Sequence, residues 1–210
     1  MIELAYCNVE NLDLKKAYNL VSKNRQEKID FYRFDKDKKL SCGAYLLLKK
    51  LLAGKNITDP IFKTEKYGKA YISNHENIHF NLSHSGKIVL CAISDMEVGA
   101  DVEYIDREID LNIAKHYFYN REYESIMNAE NRPEEFFKYW VLKESYMKYT
   151  GLGMNLNLDS FEIIIEDKIR LKNDNANLKF NLFDIEDYKI GIASHYDVSD
   201  LIEVNVFEIY

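Results

Sequence analysis

Proline is almost missing from this chain, with two in 210 residues, and no Gly/Ser-rich or low-complexity run announces a linker. Cysteine is nearly as rare. The three present, Cys7, Cys42 and Cys91, are odd in number and widely spaced, with no Cys-x-x-Cys pair. Neither a disulfide framework nor a structural zinc site is indicated, and a reducing compartment is the simplest setting. Positive charge is also in deficit: 28 Lys and Arg face 35 Asp and Glu, a formal net charge of -7. A general polyanion coat is thereby excluded, although a local basic pocket is not. No apolar run approaches membrane-spanning length, and MIELAYCNVENLDL lacks the basic-then-apolar order of a secretory signal. The expectation is a cytoplasmic protein with neither membrane nor nucleic acid as partner. Several catalytic signatures are missing as well. There is no H-E-x-x-H, no G-x-S-x-G elbow, no G-x-x-x-x-G-K-[ST] loop and no G-x-G-x-x-G fingerprint.

What is present is an ordinary globular composition, 47% hydrophobic and 30% charged, rich in Tyr (16) and Phe (11). A weak internal echo organises it. FDKDKKLSCGAYLLLKKLLAGKN reads as an amphipathic helix ending at Gly54. Behind it KTEKYGKAYI and HFNLSHSGKIVLCAIS read as strands and turns. The second half repeats the order: PEEFFKYWVLKESYMKYTG is a long helix closed by Gly151, followed by strand-like SFEIII, LKFNLFDI and YKIGIASH. The predicted fold class is α+β, two similar lobes with the active site in the cleft between them. The seam falls near residue 100, giving lobes 1–100 and 101–210. A single α+β domain with an accidental echo would read the same way.

Two stretches carry acids where chemistry needs them. In VGADVEYID, a strand over 98–104 turns Val98, Ala100, Val102 and Tyr104 into a core and sets Gly99, Asp101 and Glu103 on the other face. Two neighbouring carboxylates repel, and one pKa rises unless a cation lies between them. A hard divalent ion such as magnesium suits oxygen ligands and substrate phosphates; manganese could take the same site. An exposed strand face with two solvated acids gives the same spacing. The second stretch is EFFKYWVLKESYMKYTGLGM, where Glu144 and Lys148, four apart, share a helix face with Trp140. A surface salt bridge would explain that pair alone. The surrounding aromatic and aliphatic residues make the helix apolar on most sides, so the charges are expected to face a cleft. FNLSHSGK is the third feature. It reads as a polar turn whose backbone N–H groups, with Ser83 and His84, could hold a phosphate; an ordinary turn with a hydrogen-bonded His reads equally well.

In that order, FNLSHS, GADVE and WVLKESYMKYTGLG resemble the 4'-phosphopantetheinyl transferases, in particular the larger two-lobed class that activates carrier proteins of peptide and polyketide synthases. KYGKAYI and HYFYNREYESI also look like that family, and the resemblance runs from about Phe31 to Phe161. Ala100 replaces the usual branched aliphatic of G-x-D-V/I-E, and Ala70 stands where proline commonly follows G-K. Neither position is a proposed ligand.

The resemblance implies transfer of the phosphopantetheine arm of coenzyme A to a serine of an apo acyl or peptidyl carrier protein, with release of 3',5'-ADP. It implies that Asp101, Glu103 and Glu144 bind Mg2+, and that Glu144, or a metal-bound water beside it, is the general base. Lys148 would offset charge on the phosphate oxygens. Lys143 would support phosphate, Ser83 and His84 would meet the nucleotide end, and Lys69 the adenine or its phosphate. Lys28 and Arg25, in the basic KNRQEKIDFYRF, are further coenzyme A candidates. Because the nucleophile belongs to the carrier, the chain needs no activated Ser or Cys of its own. A fused pair of lobes implies a monomer, with the carrier docking near Tyr117, Phe118 and Tyr119. The alternatives are a catalytically inactive coenzyme A- or carrier-binding paralogue, whose mark would be a missing carboxylate or lysine, and a magnesium-dependent phosphohydrolase.

Overall fold

Alternation of apolar side chains builds the centre of the molecule. In β1 (Ile2–Asn8), Ala5 and Cys7 join one core, while Ile2, Leu4 and Tyr6 point to another. β5 (Ile88–Ser94) does the same with Val89, Cys91 and Ile93 against Ile88, Leu90 and Ala92, and all seven of its residues are buried. Such a strand, apolar on both faces, belongs in the interior. The computed structural model describes residues 1–173 and 177–210.

The first lobe continues with α1 (Leu14–Leu20), α2 (Lys23–Asp30), α3 (Asp35–Gly54), a short hairpin of β2 (Phe62–Thr64) and β3 (Ala70–Ile72), and β4 (His79–Ser85). The second runs through β6 (Val98–Tyr104), α4 (Asn112–Tyr117), α5 (Asn120–Asn128), α6 (Arg132–Thr150), a hairpin of β7 (Ile163–Ile165) and β8 (Ile169–Leu171), β9 (Lys179–Ile185) and β10 (Tyr188–Ser194). β11 (Ile202–Glu203) follows. One sheet has the order β11-β1-β5-β4, the other β6-β10-β9.

The two halves are topological copies. In each, an antiparallel strand pair brackets a long helix and a small hairpin: β1 with β5 from Ile2↔Ser94 to Asn8↔Ile88, β6 with β10 from Val98↔Ser194 to Tyr104↔Tyr188. This is the α+β, two-lobed architecture expected. The sheets face each other through Leu4, Leu90, Val98, Val102, Ile190 and Ile192, all essentially buried. α3 covers the outer face of the first sheet and α6 that of the second. Residue 100 lies inside β6. The tail crosses back: β11 pairs parallel with β1, and Val204, Val206 and Ile209 sit in the first lobe's core.

α6 has clear end signals. The Asn131 side chain accepts the Glu134 N–H at 3.3 Å, Glu134 and Glu135 occupy the first turn, and Gly151 closes the helix with φ 70°. One expectation needs correcting. Residues 79–85 are strand, not turn, and the β4–β5 turn is confined to Gly86 and Lys87 between the paired Ser85 and Ile88. Ser83 and His84 are therefore strand side chains on opposite faces, and no cradle of turn N–H groups exists there.

Candidate active site

Glycine in the second sheet sets how closely α6 can approach. A Cβ on Gly99 would stand 1.9 Å from the Ser145 carbonyl oxygen, and one on Gly191 would stand 2.4 Å from that of Val141. The helix backbone thus lies directly on β6 and β10. That contact carries Glu144 and Lys148 to the strand face holding Asp101 and Glu103.

At the centre, Lys148 Nζ donates to Asp101 Oδ1 at 2.6 Å and to Ser83 Oγ at 2.8 Å, while Ser83 Oγ donates to the same Asp101 oxygen at 2.8 Å. Asp101 is 2% exposed, and its Oδ2 is buried without a hydrogen-bond partner among the described residues. Ser85 Oγ donates to Glu103 Oε2 at 2.7 Å. Burial and the Asp101 charge push Glu103 up to about 7, with Glu144 adding to the repulsion. Burial and Asp101 likewise push Glu144 above the usual carboxylate range, opposed by Lys148. Three carboxylates that repel one another, one of them with a buried oxygen lacking a partner among the described residues, have a chemistry that suits a hard cation. Among the described residues, no group of three His, Cys, Asp or Glu side chains is arranged so that it could hold a metal ion as it stands. Lys148 instead supplies the cation at Asp101.

Two cavities open beside this cluster and share Ala70, Phe80 and Leu82. The nearer has Lys148, Asn81, Met147, Tyr67, Gly68 and Lys69 in its wall. The farther, about 470 Å³, carries Arg25, Lys28 and Lys63. Arg25 lies over the Tyr45 ring at 5.2 Å, and burial lowers its pKa. His84 projects from the same strand face as Phe80 and Leu82 and is exposed by area, but crowding around its ring and the Lys148 charge push its pKa down.

One residue sits elsewhere than expected. Lys143 is fully buried on the far side of α6, held by Glu122 Oε2 and the carbonyls of Leu158 and Phe161, each at 2.8 Å, with the Phe161 ring 4.2 Å from Nζ. Its ammonium is taken up by protein groups. One residue along a helix turns a side chain by about 100°, so the neighbour of Glu144 faces another direction. Burial pushes Lys143 below and Glu122 above their ordinary values, and each charge opposes the other's shift. Lys69 meets protein groups: Glu97 Oε2 at 2.5 Å and the Tyr149 carbonyl at 2.9 Å. Of the three aromatics before α6, Phe118 is core, stacked on Phe136, whereas Tyr117 and Tyr119 are exposed.

Asn81 and Ser85, expected only as members of a polar turn, and Glu97 and Glu122, given no role by the sequence, also take part in these networks. Asn81 Oδ1 accepts the Ala100 N–H at 3.1 Å, and Ser85 Oγ accepts that of Tyr104 at 3.1 Å. With Ser83 bonded to Asp101, alternate residues of β4 stitch the two sheets along their edges. The signal was available: polar residues at 81, 83 and 85 share the period of Asp101 and Glu103.

The comparisons agree with one another. Residues 8–96 match a model described as 4'-phosphopantetheinyl transferase, N-terminal, and residues 97–193 one for the 4'-phosphopantetheinyl transferase superfamily. A 4'-phosphopantetheinyl transferase of Bacillus subtilis is 30% identical over 199 residues, covering 90% of this chain and 88% of the relative. The transferase gsp of Aneurinibacillus migulanus is 38% identical over 172 residues (78% and 71%), and Sfp of Bacillus subtilis strain 168 is 31% identical over 159 (72% and 70%). On these matches, the chain belongs to the 4'-phosphopantetheinyl transferase family.

Proposed function

We propose that this protein transfers the 4'-phosphopantetheine arm of coenzyme A to a serine hydroxyl of an apo carrier protein and releases 3',5'-ADP. The observation that carries the reading is the Ser83–Asp101–Lys148 network with its unpartnered Asp101 Oδ2, next to two carboxylates of raised pKa. Asp101, Glu103 and Glu144 would hold Mg2+ or Mn2+, and a bound ion would neutralise and orient the pyrophosphate. The serine oxygen attacks the phosphorus that carries the pantetheine arm. A new O–P bond forms, and the bond to the oxygen leaving with 3',5'-ADP breaks. Glu144, or a water beside it, takes the serine proton. Lys148 offers its ammonium to the phosphate oxygens. Arg25 and Lys28 in the farther cavity suit the nucleotide phosphates, and His84 lies on the strand face leading to it.

In this reading the first lobe, residues 1–100, takes the nucleotide end, and the second, 101–210, supplies the metal and catalytic groups. Both lobes belong to one chain, so a monomer suffices. Exposed Tyr117 and Tyr119 are the docking candidates for the carrier. Among the described residues no helix is long and apolar enough to cross a membrane. The three buried thiols suit a reducing cytoplasm. Mass spectrometry of an apo carrier protein incubated with this protein, coenzyme A and Mg2+ tests the function. A gain of one phosphopantetheine arm on the carrier serine, with 3',5'-ADP released in equal amount, is expected. Phosphate release from coenzyme A with the carrier unmodified would instead indicate a hydrolase, and binding without any turnover would indicate an inactive paralogue.

A further inference from the structure

The β2–β3 hairpin has three residues in each strand and exposes most of them. A two-stranded hairpin of this size is marginal by itself. Yet it walls both cavities, with Tyr67, Gly68 and Lys69 at the nearer and Phe62, Lys63 and Thr64 at the farther. Something must hold it in place.

Lys69 is placed to do so. Its side chain is 10% exposed, and Nζ lies 2.5 Å from Glu97 Oε2, 2.9 Å from the Tyr149 carbonyl and 3.5 Å from the Val98 carbonyl. An ammonium has three protons, and three acceptors surround this one. The other Glu97 oxygen meets His79 Nδ1 at 2.9 Å, which fixes the carboxylate from β4. Tyr149 lies in the last turn of α6, where unpaired carbonyls and the negative end of the helix dipole attract a cation. Beside it, Gly151 has φ 70°, and a Cβ there would stand 3.3 Å from Lys69 Cδ. One lysine therefore joins the hairpin, the entry to β6 and the end of the helix that carries Glu144 and Lys148.

We propose that Lys69, fixed by Glu97, is a positioning residue that clamps the β2–β3 hairpin against α6 and β6 and so shapes the coenzyme A cleft. The substrate in this statement rests on the proposed function; the clamp itself does not.

Two measurements test it. In the free protein, Lys69→Met and Glu97→Gln are each expected to raise hydrogen exchange across residues 62–72 while β5 and β10 keep their protection. In the transfer assay, each is expected to raise KM for coenzyme A about tenfold, the scale of a lost charged hydrogen bond, with kcat changed less than about twofold. The double variant should be no worse than either single one. The KM penalty of Lys69→Met should persist with dephospho-coenzyme A. Unchanged hairpin exchange would overturn the clamp whether or not the protein transfers the arm. A penalty that vanishes with dephospho-coenzyme A, or an additive double variant, would make Lys69 a phosphate ligand instead. If wild type leaves the carrier unmodified, the proposed function falls, and the exchange result still decides the clamp.

Discussion

Glu103 is partly buried and stands two residues from Asp101 on one strand face, and burial together with that neighbouring charge has a thermodynamic cost. Glu103 keeps its proton to about 7 in the fold, against an ordinary value of 4.5. Between those values the native state binds more protons than the unfolded chain, so stability falls as pH rises through that window. Glu144, also raised, acts in the same sense. Without divalent cations the protein is expected to melt at higher temperature at about pH 5 than at about pH 7.5. Glu103→Gln should flatten that slope, and so should Mg2+ at the higher pH. A thermal melt series checks this, and a rising Tm across the window would contradict it. The acid pair was legible in the sequence because strand alternation is strict. Lys143 was misread because closeness in a motif is not closeness on a helix. Its partner Glu122 lies 21 positions earlier on another helix, at a range no local pattern reports.

At the scale of elements, α6 is held by two different devices. Beneath it, Gly99 and Gly191 allow backbone contact. Gly99→Ala is expected to cost about 1–3 kcal/mol or more, because backbone atoms cannot give way as a flexible side chain can. Denaturant unfolding with transfer kinetics checks it: stability and kcat should fall together as α6 lifts from Asp101. On its far side, the Lys143–Glu122 pair ties α6 to α5. Lys143→Met leaves a buried carboxylate alone and should cost about 3–5 kcal/mol. Adding Glu122→Gln should recover part of that, and a strictly additive double variant would rule out the pairing. α3 and α6 were readable because length, periodicity and closing Gly54 or Gly151 coincide. β1 was not, since burial on both faces removes the polar-apolar alternation that marks a strand.

For the whole molecule, the internal echo proved to be a duplicated topology, but the tail's return to β1 was hidden, because two paired residues leave no recognisable pattern. The shared core between the sheets and the stitches from Asn81, Ser83 and Ser85 join the lobes along the line where the acids sit. Calorimetry is expected to show one unfolding transition, and two separated ones would mean that the lobes are independent. In the proposed function the Asp101, Glu103, Glu144 and Lys148 cluster performs the transfer. Its most direct test is single-turnover transfer to an apo carrier at saturating coenzyme A, comparing wild type with Glu144→Gln after thermal melts confirm that both are folded. The variant is expected to be slower by roughly 10²–10⁴-fold, the usual span for a lost general base. Equal rates for the two proteins would contradict it and place the chemistry elsewhere.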